Sequence, residues 1–407
     1  MHVETGLLFV RLLAVVPGLV GNASIESRGG VAPVQADAAS VPSFATVFDT
    51  SLGVRLLSER LQITLSYGPQ ILFRRPNLAD RWRPLLMHHA NLNGRWRATH
   101  STTLNSQVSA SAGEADYIAL RQLIGMQQAT LPNSIDLVTG RADAGIQVMT
   151  SPSNRWRTTA FGQHLQPLGG ALDTAATSGI FVFPRQTQAG LGTDYVHAVD
   201  GKTTLGGSFE VGYLHHTSMI TNTFALVTPK LLVTHKSERN EQFAAGLGVT
   251  CVQSIASTQT PIRDLFPAAD LSFDTRVFQE RHTVVSVGTT VRIAWVLDPI
   301  LGSGAPVGTA SLFSRATFSP RWIATPSLSF STSLNGEPRT GEPNETLFSA
   351  QTPILYRVNS NVSLEFGGRF FQSAPHLSAD RFRVSQREIW AYFAVRTNFD
   401  TGKTPTR

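Results

Sequence analysis

The sequence predicts an all-β protein, a transmembrane antiparallel β-barrel of 16 to 18 strands. Three observations lead to this prediction. Segment after segment alternates apolar and polar residues with the period of two that a β-strand requires. The connections between these segments alternate between short turns and long loops, which is the arrangement of transmembrane barrels. Charged residues make up only 15% of the chain, well below the roughly 25% of an ordinary soluble protein.

The clearest alternation runs from Leu61 to Arg74, where apolar residues take the odd positions and mostly polar residues take the even ones. The segments of this kind are 44–56, 61–74, 85–98, 104–114, 141–151, 155–166, 186–199, 203–216, 222–236, 242–252, 267–279, 282–297, 307–319, 322–334, 346–358, 361–371 and 389–399. They number seventeen, whereas bacterial single-chain barrels have even strand numbers. We therefore expect either 16 strands, with a weak segment discounted, or 18, with a strand missed around 179–183 or near the N-terminus.

The direction of the first hairpin also requires a further segment. If the last strand ends in the periplasm, the tight turn 58–60 lies on the periplasmic rim. The strand before that turn then comes down from the outer side. The sequence therefore predicts an N-terminal strand, or an N-terminal segment threaded through the lumen.

The N-terminus has the composition of an export signal. An apolar stretch over residues 6–20 precedes Gly21, Asn22 and Ala23, with small residues at the positions that determine cleavage. The predicted organisation is a signal peptide over 1–23, a flexible lead-in over 24–42, an outer-membrane barrel over 43–399 and a tail over 400–407.

Composition argues against several other functions. Basic residues are scattered singly despite a formal charge of +6, so we predict no nucleic-acid partner. Cys251 is alone, which excludes a disulfide or a cysteine cage within the chain, and it falls on an apolar strand face. Neighbouring histidines in a strand point to opposite faces, so the pairs at 88–89 and 215–216 predict no metal site. We predict no cofactor and no enzymatic activity.

The polar alternate sets are rich in Ser, Thr, Gly, Gln and Asn with single charges, which indicates a wet interior. The predicted lumen-lining residues are Arg55, Arg74, Arg95, Arg97, Arg141, Asp194, Glu210, Arg276, Arg292 and Arg369. The wider inward set adds Arg396, Asp49, Asp143, Asp270, Asp274 and Glu365. Because arginine modestly outnumbers acid in this set, an open pore should favour anions weakly.

Two alternatives to an open channel remain at this stage. Apolar residues at helical spacing in the loop 113–132 allow a short helix that constricts or plugs the mouth. An outer-membrane hydrolase would need a histidine and a serine on one strand face with a polar group to orient them. No serine has a distinctive sequence context, so the hydrolase is the weaker alternative.

The last segment, 389–399, has an apolar face and ends in an aromatic residue near the C-terminus. The residues assigned to this assembly strand are Trp390, Tyr392, Phe393 and Phe399, with Trp390 and Tyr392 expected to lie at the membrane interface. The segment resembles the closing strand of porin-like outer-membrane β-barrels of Gram-negative bacteria. The strand and loop style of the chain is similar to that of large barrels of myxobacterial type. The tail after Phe399 departs from this pattern, since many such barrels end at the aromatic residue.

The resemblance implies an outer-membrane location and contacts with membrane lipid, lipopolysaccharide and the barrel-assembly machinery. It also implies a channel or an export pore for solutes or polysaccharide, the latter with a periplasmic export complex. A plugged structural or surface-interaction barrel is the alternative.

Overall fold

The computed structural model describes residues 16–33, 40–75, 83–115, 135–168, 185–217, 221–237, 241–257, 263–297, 304–334, 345–375 and 386–401. These residues form one closed antiparallel barrel of 18 strands. The strands are β1 (Val16–Pro33), β2 (Ser40–Leu57), β3 (Leu61–Arg75), β4 (Arg83–Arg97), β5 (Thr102–Ala115), β6 (Ile135–Ser151), β7 (Asn154–Pro167), β8 (Arg185–Ala198), β9 (Thr203–Thr217), β10 (Thr221–Lys236), β11 (Gln242–Ser257), β12 (Arg263–Glu280), β13 (Thr283–Leu297), β14 (Gly304–Thr317), β15 (Trp322–Ala324 and Ser327–Ser333), β16 (Glu345–Gln351 and Ile354–Arg357), β17 (Val362–Pro375) and β18 (Gln386–Asp400).

Strand β1 closes the barrel. It pairs antiparallel with β2 from Val16 opposite Leu57 to Pro33 opposite Ser40, and with β18 on its other side. Its start and the end of β18 therefore lie on the rim of the short turns. The N-terminal strand that the direction of the first hairpin required is present, and it raises the strand number from seventeen to 18.

The structure corrects the predicted lead-in. Residues 24–33 belong to β1 and are not an irregular linker. They carry small and polar residues, so no apolar alternation marks them, and the hydrogen-bonded ladders to β2 and β18 hold them in the sheet. Cleavage after Ala23 would cut β1 eight residues from its start.

Some predicted features lie outside the described residues. They are residues 6–15 of the apolar N-terminal stretch, the strand candidate at 179–183, most of the loop 113–132, most of the other long loops, and the tail from Gly402 onward. Residues 16–20 of the apolar stretch belong to β1.

Strands β15 and β16 each consist of two parts because a proline interrupts each of them. Pro326 and Pro353 lack the N–H that a ladder hydrogen bond requires. The register is unchanged across both interruptions, since Trp322 pairs with Tyr356 and Ser327 pairs with Gln351 on the same diagonal. Each two-part segment is therefore one barrel strand.

The outer face carries large apolar side chains and two bands of aromatic residues. Trp96, Trp156 and Trp322 are exposed close to the short turns, and Phe44 and Tyr213 are exposed near the long-loop rim. Aromatic girdles of this kind mark the two membrane interfaces of a barrel. Among the described residues no helix is long and apolar enough to cross a membrane.

The outer face should not tolerate charge. Leu65, Phe209 and Ile293 belong to the outer set, and arginine at any of them should cost about 2–4 kcal/mol of stability because it would lie in lipid.

The control substitutions place arginine at Ser66, Ser208 or Ser286, which belong to the inner set. On gels, a folded barrel migrates faster than the heat-unfolded protein. The inner variants should lose the fast-migrating folded form at the same temperature as the wild type, and the outer variants should lose it at a lower temperature. Equal losses from both groups would show that the two faces are misassigned.

Candidate functional site: the lumen wall

The inner face of β4 to β10 forms a continuous polar wall. One register row across these strands contains Arg97, Thr103, Gln147, Arg157, Asp194, Ser208 and Lys230. The adjacent row begins with Arg95 and includes Asn105, Gly145, Thr159, Gly192 and Glu210. Two-residue alternation therefore places arginines, acids and amides on one surface.

Two cavities lie against this wall. The larger, about 870 Å³, is polar, and its lining includes Asn93, Gln107, Arg141, Asp143 and Glu210. The second, about 780 Å³, lies against Arg155, Asp194 and Asp270. Arg157 of β7 and Arg292 of β13 line both cavities, although five strands separate them around the barrel. These two arginines therefore face a common space within the lumen.

Several charges on the inner wall are paired. Asp143 accepts hydrogen bonds from Arg141 at 2.7 and 3.0 Å. Asp270 forms ion pairs with Lys230 and, at 3.4 Å, with Arg292. The inward glycines 246 and 248 of β11 leave room for Lys230 to reach across that strand to β12. The pair of Arg141 and Asp143 is neutral, whereas the group around Asp270 retains one net positive charge.

The barrel closure carries the densest group of charges, on the inner faces of β1, β17 and β18. Arg369 donates two hydrogen bonds to Glu26, at 2.9 and 3.1 Å, and its guanidinium lies 4.2 Å from the centre of the Tyr392 ring. Tyr392 donates a hydrogen bond to Glu365, which also pairs with Arg396.

Nearby, the Arg28 guanidinium lies over Trp390, at 5.4 Å from its ring centre. Trp390 and Tyr392 are each only 5% exposed. They were predicted to lie at the membrane interface, but they pack against arginines inside the barrel. Phe393 and Phe399 of the same strand face outward.

The other predicted lumen residues lie on the inner face in less crowded places. Arg55 forms an ion pair with Asp400 beside the short-turn rim, and Arg276 donates a hydrogen bond to Gln279 at 2.5 Å. Arg74 lies in β3 opposite Ala45, and its side chain is outside the described part of the structure. Arg95, Arg97, Arg155 and Arg157 form no ion pair with any residue that the structure describes.

Sequence reasoning missed several inner charges. Arg155 and Arg157 were missed because Phe161 and Leu165 fall on the same alternate set and blur it. The unbroken order Arg155, Trp156, Arg157 was the available signal, since it places both arginines on one face and the tryptophan on the other. Glu26 and Arg28 were missed with β1, and Lys230 because β10 carries apolar residues on both faces.

The hydrolase alternative requires a histidine close to a serine on one strand face, and the structure contains one such pair. His89 Nδ1 lies 2.7 Å from Ser111 Oγ on the inner face. The same contact between a histidine and the hydroxyl of its cross-strand partner recurs for His164 with Thr187 and for His215 with Thr223, at 2.8 and 2.9 Å. The contact at His89 therefore has the geometry of ordinary cross-strand packing. No group of three or more metal-ligating side chains occurs among the described residues.

No protein-family model and no curated protein matches the sequence. Solved structures do match the fold. The copper transporter OprC is 11% identical, with 94% of this chain and 81% of that chain covered and a TM-score of 0.50. The siderophore receptor PirA from Pseudomonas aeruginosa is 8% identical, with 94% and 80% covered and a TM-score of 0.50. OpdL from Pseudomonas aeruginosa is 12% identical, with 96% and 100% covered and a TM-score of 0.46.

At such identities the likeness concerns the fold alone. The closed sheet, its apolar outer face with aromatic girdles and its polar inner wall define a transmembrane β-barrel. The chain has the fold of an outer-membrane β-barrel.

Proposed function

We propose that the protein is a non-enzymatic solute channel of the outer membrane with a weak preference for anions. The proposal rests on the lumen space that Arg157 and Arg292 both border. The polar wall of β4 to β9 lies beside this space. Barrels of 16 to 18 strands are wide enough for an aqueous channel. The fold that the chain shares with the copper transporter OprC is consistent with this proposal.

The expected preference is weak because the charges nearly balance. Arg141 neutralises Asp143, and Lys230 neutralises Asp270, so Asp194 and Glu210 remain against Arg155, Arg157 and Arg292 in the two cavities. Arg97 in the register row of Asp194, and Arg95 in the row of Glu210, add positive charge without an ion-pair partner among the described residues. The surplus is therefore small and lies mainly on β4.

Purified protein in a planar bilayer should show stepwise conductance, with a reversal potential in a salt gradient that indicates slight anion preference. Arg95→Glu with Arg97→Glu should shift that potential toward cation selectivity, because it replaces unpaired positive charge with negative charge.

Arg387→Glu is the control, since Arg387 belongs to the outer set and lies over Phe370 near the long-loop rim. It should leave the reversal potential unchanged. A silent bilayer with correctly folded protein would contradict a constitutively open channel, and would leave a plugged barrel or a gated exporter.

A second candidate function is the transport of hydroxyl-rich solutes, which the amide side chains of the larger cavity favour. Asn93, Asn105, Gln107, Gln163 and Gln188 line it together. Amides both donate and accept hydrogen bonds, so they suit the hydroxyl groups of saccharides. Export of a polysaccharide through the barrel would then require a periplasmic export complex, and blockage of the conductance by an added oligosaccharide would support it.

The proposal also includes partners that follow from the location. Insertion of the barrel requires the barrel-assembly machinery, and the outer face contacts membrane lipid and lipopolysaccharide. Reconstitution with and without lipopolysaccharide would test whether the channel needs it.

A further inference from the structure

The amide side chains of the larger lumen cavity have no hydrogen-bond partners among the described residues. Six amides on the inner faces of β4 to β8 line this cavity of about 870 Å³: Asn93, Asn105, Gln107, Gln147, Gln163 and Gln188. Hydroxyl side chains elsewhere on the inner wall pair across strands, at 2.7 Å for Ser329 with Ser349 and at 3.0 Å for Thr228 with Thr250. Each amide offers two donor hydrogens and an acceptor oxygen. The wall of β4 to β8 therefore presents donors and acceptors that these residues leave unused.

One aromatic ring lines the same cavity. Phe161 is partly exposed and belongs to the inner set of β7, opposite Gly190 of β8. A Cβ on Gly190 would lie 2.5 Å from the Phe161 ring, so the ring lies along the wall over β8. Gly145 and Gly192 also line the cavity and add no side chains to its floor. Glycine inside a strand often marks a place where a ligand approaches the backbone closely.

The charged side chains of the cavity nearly balance. Arg157 and Glu210 line it and form no ion pair with a described residue. The pair of Arg141 and Asp143 is neutral, and the group that contains Arg292 retains one net positive charge. A polymer with a carboxylate on each ring would bring several negative charges against this surplus of one. Uncharged hydroxyl groups, in contrast, can use both guanidinium donors and carboxylate acceptors.

We propose that this cavity is a binding site for a neutral oligosaccharide of pyranose units. One pyranose ring lies with its apolar C–H face on Phe161, and its hydroxyl groups form hydrogen bonds with the surrounding amides. The cavity volume is within the range of about 300–1,000 Å³ that is usual for ligand sites. The proposal rests on the channel function above, because the saccharide reaches the site through the lumen.

The length of the cavity favours an oligosaccharide over a single sugar. Its lining extends from Asn93 in β4 to Glu210 in β9. These strands are separated by five spacings of about 4.8 Å each, so more than one pyranose ring fits along the wall.

Isothermal titration calorimetry on the folded barrel tests the site. The detergent must lack a sugar head group, and lauryldimethylamine oxide meets this requirement. The probes are maltopentaose and cellopentaose, which differ in the linkage of their glucose units. At least one of them should bind saturably to the wild type, and Phe161→Ala should weaken that binding about tenfold, because the ring contact is lost. Phe161→Tyr should retain it, because it keeps the ring.

Phe313→Ala is the matched control. Phe313 belongs to the inner set of β14 and lies over Gly288, where a Cβ would lie 2.2 Å from its ring, but it does not line the cavity. Both alanine variants thus remove a ring that covers a glycine on the neighbouring strand. A loss of binding confined to Phe161→Ala would therefore report on the cavity and not on folding, and heat-modifiable migration checks that each variant is folded.

A second variant tests the amides. Gln163 and Gln188 are opposite each other on β7 and β8, and both line the cavity. Gln163→Leu with Gln188→Leu should weaken binding of the same probe about tenfold or more, because hydrogen bonds from two side chains are lost.

Three results would overturn the proposal. One is the absence of saturable binding of either pentasaccharide to the folded wild type. Another is an equal loss of affinity in Phe161→Ala and Phe313→Ala. The third is tighter binding of tetragalacturonate than of the neutral probes, which would assign the site to acidic saccharides. Failure of the channel is a separate result: conductance without binding contradicts this site alone, and binding without conductance contradicts only the open channel.

Discussion

Truncation after Asn398 should remove most of the protein from the outer-membrane fraction. The reason is the seam between β18 and β1. Phe399 pairs with Gly21, and its ring covers the space where a side chain would stand, since a Cβ on Gly21 would lie 2.4 Å from it. Beyond it, Leu19 and Thr401 exchange backbone and side-chain hydrogen bonds, at 2.7 and 2.8 Å. Asp400 pairs with Arg55 of β2. The truncation removes all of these contacts together.

Removal of residues 402–407 is the matched control and should leave insertion unchanged, because the described contacts of the closing strand end at Thr401. Membrane fractionation followed by heat-modifiable gel migration measures both variants. Phe399→Ala should give an intermediate loss, since it retains the backbone hydrogen bonds. Normal insertion of the protein truncated after Asn398 would show that closure does not depend on these residues.

The strands predicted from the sequence are those with one apolar face. Seventeen of the 18 have this property strongly enough to be recognised, because lipid on one side and water on the other impose it. Strand β1 was missed since its stability comes from the ladders on both sides and not from apolar burial. Chain direction, and not composition, indicated that it had to exist.

The side chains of the inner wall could be predicted only in part. Alternation places Arg95, Arg141 and Arg292 on the inner face, but it does not report which charges are paired. Pairing depends on strands that lie close together in the barrel but far apart in sequence. Glu26 of β1 reaches Arg369 of β17 across β18, and the two residues are 343 positions apart.

Trp295 shows a second limit. Alternation along the segment 282–297 places it on the outer face, but its ring centre lies 5.3 Å from that of Phe224, a buried residue of the inner set of β10. Alternation assigns a face only while a strand follows the barrel wall. The upper end of β13 leaves β12 beyond Ile293, so the inside and outside assigned from sequence no longer apply there.

Glu26→Gln should destabilise the barrel by about 3 kcal/mol. The carboxylate of Glu26 is 15% exposed and accepts both hydrogen bonds of the Arg369 fork. Its removal leaves Arg369 without its partner, close to the buried Arg28 on the same inner face. Breaking one side of a largely buried ion pair costs about 3–5 kcal/mol, and we take the lower value because Arg369 retains 28% exposure.

The double variant Glu26→Leu with Arg369→Met should recover most of that loss, because replacing both members of a buried pair by apolar side chains is often close to neutral. Asp143→Asn is the matched control. It breaks a pair in which Arg141 is 58% exposed, so it should cost no more than about 1 kcal/mol. The stability of all three variants is measured as the midpoint of urea unfolding in lipid vesicles. If Glu26→Gln and Asp143→Asn shift the midpoint equally, the pair at the closure stabilises the barrel no more than an exposed one, and β1 is held by its backbone ladders alone.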